Sequence, residues 1–88
     1  MEIVEYPVDG TLDLHTFHPR DVKDLIPEYI SVCLENRIYQ IRIIHGKGTG
    51  TLRRIVHALL DRDLRVERYW HEEGSGGSWG ATIVKLKD

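Results

Sequence analysis

Eighty-eight residues with 41% apolar content suit one small globular domain, which buries roughly 60–65% of its unfolded surface. A net charge of −2 excludes a protein that coats nucleic acid by bulk basicity, so any polyanion contact must be local, or weak and salt-sensitive. Cys33 is the single cysteine, which leaves no internal disulfide and no cysteine zinc site; with no long apolar run or leader signal, a cytoplasmic location is expected.

Residues 1–10, MEIVEYPVDG, carry Pro7 and an Asp9-Gly10 turn signal and read as an N-terminal arm ahead of a domain over residues 11–88. TLDLH alternates, with Leu12 and Leu14 on one face and Asp13 and His15 on the other, which predicts a strand. Pro19 suits the first turn of a helix, and Asp21 favours its positive end. Val22, Leu25, Ile26, Tyr29, Ile30 and Cys33 then recur at helical spacing as far as Asn36. Pro27 interrupts this run without shifting its phase, so one bent helix is expected.

IYQIRII is the second strand, and IIHGKGTG carries its end into a glycine loop over residues 45–50. Leu52, Ile55, Val56, Leu59 and Leu60 predict a second amphipathic helix closing near Arg62. LRVERYW alternates as a third strand, EEGSGGS reads as a mobile glycine-rich loop, and WGATIVKL is a fourth strand. The order βαβαββ, with one apolar stripe per helix, predicts an α/β two-layer sandwich. Both helices would cover one face of a mixed four-stranded sheet, with strands one and two parallel.

Glycines where a strand ends and a helix begins let another group approach the backbone, and the amides there suit an anion. In open α/β sheets, ligands gather outside the carboxyl ends of parallel strands. Asp13, His15 and His45 therefore become candidate catalytic residues. Gly46, Lys47, Gly48, Thr49 and Gly50, with Arg53 and Arg54, form a candidate binding surface. Each has a structural alternative: Asp13 capping its own turn, His15 bonding the next loop, and His45, which shares strand parity with Ile41 and Ile43, buried under the helices. Arg53 and Arg54 could simply be solvated helix residues. His18, His57 and His71 read as surface or packing residues. Tyr69, Trp70 and Trp79 could stack on unpaired bases, with packing the more ordinary role. Neither GxxxxGK[ST] nor GxGxxG is present; Glu67 alone hints at a ribose contact, so a nucleotide-binding domain is a distant alternative.

LDLH at Leu12 to His15, HGKG at His45 to Gly48 and the closing GGSWGATIVKL resemble the small MutS-related (Smr) domain over nearly the whole chain. The resemblance implies a fold like the C-terminal domain of translation initiation factor three. It also implies an endonuclease that nicks or cleaves branched DNA or structured RNA, with Asp13 and His15 as the catalytic pair and His45, Gly46 and Gly48 in the substrate loop. Thr16 stands where many members carry a glycine, which leaves a non-catalytic nucleic-acid-binding module as the alternative. The expected partner is nucleic acid and not a membrane. No tightly bound cofactor is expected, a divalent metal is left open, and so is the oligomeric state.

Overall fold

The computed structural model describes residues 8–46, 50–74 and 77–88 and, of these, the side chains outside residues 73–79. Its elements run β1 (Thr11–Asp13), α1 (Pro19–Glu35), β2 (Gln40–Ile44), α2 (Thr51–Arg62), β3 (Val66–Gly74) and β4 (Gly77–Leu86). The sheet order is β1-β2-β4-β3, with β1 parallel to β2 and β4 antiparallel to both its neighbours. This is the expected mixed four-stranded sheet with two helices.

Strand alternation sorts the core. Leu12 on β1, Ile41 and Ile43 on β2, and Thr82, Val84 and Leu86 on β4 are all buried on the face covered by the helices. From α1, the stripe Val22, Leu25, Ile26, Tyr29, Ile30 and Cys33 meets them, joined by Val56 and Leu60 from α2. The Tyr29 hydroxyl accepts from the Gly10 N–H and donates to the Thr11 carbonyl, both at 3.2 Å, which ties α1 to the start of β1. Val8, from the end of the expected arm, also packs against this core, whereas residues 1–7 lie outside the described residues.

Pro19 occupies the first turn of α1, and the helix runs unbroken through Pro27. His18 is its N-cap: Nδ1 accepts from the Arg20 N–H at 3.2 Å. Histidine is outside the usual capping set, so residue type alone did not point to that role. At the other end, Ile38 N–H donates to Cys33 O at 2.8 Å and Arg37 N–H to Leu34 O at 3.1 Å, the paired bonds of a Schellman motif. That motif puts Arg37 at φ 58°, a left-handed conformation that costs a side-chain-bearing residue roughly 1–2 kcal/mol, against the 0.5–1 kcal/mol of extra chain entropy glycine loses. Arg37→Gly is accordingly expected to stabilise the domain by about 0.5–1 kcal/mol. An unchanged or lower urea midpoint would contradict this.

One connection differs from expectation. The β3–β4 ladder continues to Glu73↔Ser78 and Gly74↔Gly77, so most of the predicted glycine-rich loop is strand, and only residues 75 and 76 lie between them. Glycines add no side chain to an alternation pattern, and the ladder shifts register between His71 and Glu73, which breaks the period that the reading depended on.

Candidate active site

Asp13 ends β1 opposite Ile44, and Leu14 N–H donates to Ile44 O at 2.8 Å, so the first loop leaves the sheet beside the second. The Asp13 side chain is 46% exposed. The Asp13 carboxylate Oδ1 accepts the His15 backbone N–H at 3.0 Å and lies 2.6 Å from His15 Nδ1. Those two bonds, backbone first, hold Asp13 below the usual carboxylate range. With Nδ1–H donating to Asp13, the neutral imidazole carries its lone pair on Nε2, the arrangement of an oriented base. The His15 side chain is 65% exposed, leaving that nitrogen accessible to a substrate.

A turn closed by Phe17 N–H to Leu14 O at 2.9 Å holds His15 and Thr16. Among the described residues Arg37 is the only non-glycine at positive φ, so Thr16 sits in ordinary backbone and its replacement of a glycine strains nothing there.

His45 lies on the other side of the sheet. Just past the end of β2, it continues the parity of Ile41 and Ile43, and it is 5% exposed on the helix-covered face, turned away from the Asp13 carboxylate. Its Nδ1 sits 3.2 Å from the Gly46 carbonyl and its Nε2 2.9 Å from Thr82 Oγ1; His57 Nε2, from α2, lies 2.9 Å from the same oxygen. A carbonyl only accepts, so His45 Nδ1 carries a hydrogen, the Thr82 hydroxyl donates to His45 Nε2, and Thr82 accepts from His57 Nε2–H. The chain of polar groups continues through the His57 ring against Tyr69, centroids 4.8 Å apart, to the Tyr69 hydroxyl, which donates to Asp61 at 2.6 Å. Thr82 is the residue that the sequence reading missed, and His57, read there as a surface or packing residue, is its second imidazole partner. The available signal was a threonine in register with the buried Val84 and Leu86.

Burial holds both His45 and His57 below the ordinary imidazole value. The unfolded chain therefore takes up protons as pH falls below about 6.5, while the folded form resists, and stability drops with acidification. The unfolding free energy should be level from pH 8 to 7 and fall toward pH 5, by up to about 1.4 kcal/mol per pH unit for each histidine, and the urea midpoint should fall with it. Asp13 and Asp63, both held low in the fold, add a separate loss only below about pH 4. A midpoint that stays level between pH 7 and 5 would show that neither imidazole is held neutral.

The start of the glycine loop is set by β4. Both His45 N–H and Gly46 N–H donate to Gly80 O at 2.8 Å, and Gly46 and Gly80 sit at φ +82° and +65°. Built onto Gly80, a Cβ would lie 2.3 Å from the Gly46 carbonyl carbon, so only glycine lets the two backbones meet. Gly50, at φ +87°, caps α2 without a side chain. Beside it, Arg53 borders two hollows: one of ≈ 320 Å³ with Pro19, His45, Gly46 and Leu52, and one of ≈ 520 Å³ with Arg54, His57 and Asp61. The remaining loop candidates, Lys47, Gly48 and Thr49, lie outside the described residues.

A two-layer α/β domain with an Asp-x-His pair and a histidine–glycine loop at the ends of adjacent parallel strands is the class of structure defined so far. The chain belongs to the Smr domain family, which residues 12–87 match. It is 38% identical over 80 residues to the endonuclease MutS2 of Leuconostoc mesenteroides, and 36% identical over 83 residues to that of a Geobacillus species. Those alignments cover 91% and 94% of this chain but only 10% and 11% of the relatives, so the chain spans about a tenth of their length. Among solved structures, the Smr domain of Thermus thermophilus MutS2 superimposes with a TM-score of 0.83 at 28% identity, covering 90% of this chain and 99% of that one. YdaL, a stand-alone small MutS-related protein of Escherichia coli, gives 0.82 at 25% identity over 94% of this chain and 68% of its own. Among the described residues, no helix is long and apolar enough to cross a membrane.

Proposed function

We propose that this domain is a nucleic-acid endonuclease in which Asp13 orients His15 as the acid–base group at the scissile phosphodiester. The observation that carries the reading is the 2.6 Å Asp13–His15 contact on the exposed edge, beside the loop that follows β2. Relatives named as endonucleases support the reaction class. The amides at the start of α2, with Arg53 and Arg54, would hold a backbone phosphate, a contact that positions the strand without reading its sequence. His45 has a different task in this scheme: buried and bonded to Gly46 O and Thr82, it holds the loop in place instead of meeting the substrate.

The chemistry suits RNA. An imidazole moves protons near neutral pH, and RNA supplies its own nucleophile in the 2′-hydroxyl. His15 Nε2 would take the 2′-hydroxyl proton as the oxygen attacks phosphorus and the bond to the 5′-oxygen breaks, leaving a 2′,3′-cyclic phosphate and a 5′-hydroxyl once that oxygen is protonated. Activity on a structured RNA and on a branched DNA, each with and without excess chelator, tests the reading. RNA cleavage that survives chelator and disappears in His15→Ala is the expected result. Equal cleavage by His15→Ala would remove the dyad from the reaction.

A further inference from the structure

Because α1 and α2 share one side of the sheet, the other side has no helix over it among the described residues. Its rows are set by the ladder: Arg42 on β2 faces Ile83 on β4, which faces Trp70 on β3, and Lys85 on β4 faces Arg68 on β3. Trp70, on the edge strand β3, is 40% exposed on this face, and the Arg68 guanidinium lies 5.3 Å from the centre of its ring. Arg42 reaches across β4 to grip Glu72 with two bonds of 2.7 and 2.9 Å, and Ala81 beneath is fully buried. That pair cancels its own charge. The charges left on the face are Arg68, Lys85 and, continuing the alternation, Lys87, against Glu67 at the β3 bulge and Asp13 at the far end of β1. In a chain of net charge −2, this is a locally positive strip built around an exposed indole.

An aromatic ring flanked by cations on an open sheet fits unpaired nucleotides, because every base has a face to stack and every linkage a charge to neutralise. We propose that this open face is a track for single-stranded nucleic acid, with Trp70 stacking on a base and Arg68 and Lys85 meeting neighbouring phosphates. The track leads to the proposed cleavage site. Asp13 pairs with Ile44, and Ile44 with Ala81, so the Asp13 carboxylate stands on the same face, three strand spacings or about 14 Å from β3. The inference rests on reading the domain as a nucleic-acid enzyme and adds what that site accepts: a strand that is unpaired as it approaches.

The test is fluorescence anisotropy of the 88-residue chain with a labelled single-stranded RNA of about a dozen uridines and with a duplex RNA of equal length. Trp70→Ala should weaken single-strand binding roughly 5- to 100-fold and leave duplex binding nearly unchanged, while Trp70→Phe keeps most of the affinity. Arg68→Glu and Lys85→Glu should each lower the salt dependence of single-strand binding by about one ion. Circular dichroism unchanged from the parent checks that each variant is folded. Equal single-strand affinity in a folded Trp70→Ala overturns the track, as does a Trp70→Ala whose only effect is to dissociate a dimer. Failure of the single strand to bind while the duplex is bound and cleaved sinks the track alone, whereas failure of both sinks the nuclease reading with it.

Discussion

His15→Ala and Asp13→Asn are each expected to slow nucleic-acid cleavage by about 10²-fold or more, with affinity nearly unchanged. The two changes act on one unit. Removing the imidazole removes the group that would move the proton, whereas Asp13→Asn leaves the ring in place and takes away the negative charge that stabilises its protonated form. Because Asp13 Oδ1 also accepts the His15 backbone N–H, the asparagine should keep the turn by presenting its amide oxygen there. The double variant should then be little slower than the slower single one, since groups that act together do not add. Single-turnover rates measured beside binding constants decide it. If affinity falls in step with rate, the pair recognises substrate and does not transform it.

Gly80→Ala is expected to be the most damaging single methyl in the domain. At φ +65° a side-chain-bearing residue is strained by roughly 1–3 kcal/mol before any contact is considered. The added Cβ would also sit 2.3 Å from the carbonyl carbon and 2.4 Å from the oxygen of Gly46, both of them backbone atoms with little room to yield. Relief requires the two backbones to part, which would break the bonds that His45 and Gly46 donate to Gly80 O and shift the start of the glycine loop. The thermal midpoint should fall by roughly 5–20 °C, and cleavage should weaken further than the lost stability alone explains. Gly50→Ala is the control. Its φ is also positive, but nothing lies within 4 Å of the added carbon, so only the backbone strain should appear. A Gly80→Ala domain that melts and cuts like its parent would mean that Gly46 is not held by β4.

The contrast between these two sites shows what one sequence can reveal. Element order, the parallel β1–β2 pair and the apolar stripes of both helices were legible because side-chain periodicity reports directly on burial. Asp13 and His15 were legible as a pair because residues two apart on a predicted strand share a side, although β1 ends at Asp13 and it is the turn, with His15 N–H and Nδ1 both on Asp13 Oδ1, that brings them together. His45 was harder, since its parity with Ile41 and Ile43 argued for burial while its glycine neighbours argued for a site; the structure places it on the buried side. Thr82, His57 and Gly80 act through partners 25 to 37 positions away along the chain, as the 2.9 Å bonds at Thr82 illustrate, and no local pattern encodes such a contact. The open sheet face was illegible for a related reason. Trp70 and Arg68 signalled an aromatic and a cation, but that neither α1 nor α2 lies above them depends on where both helices pack.

The most direct test of the proposed mechanism is a single-atom change in the substrate. One RNA that the domain cleaves at a defined linkage is compared with the same strand carrying a single 2′-deoxy sugar at that linkage, both in excess chelator. If His15 activates the 2′-hydroxyl, the parent is cut to a 2′,3′-cyclic phosphate and the deoxy strand stays intact at that position. Cleavage of the deoxy strand there at a comparable rate, or loss of all RNA cleavage in chelator, would contradict the mechanism.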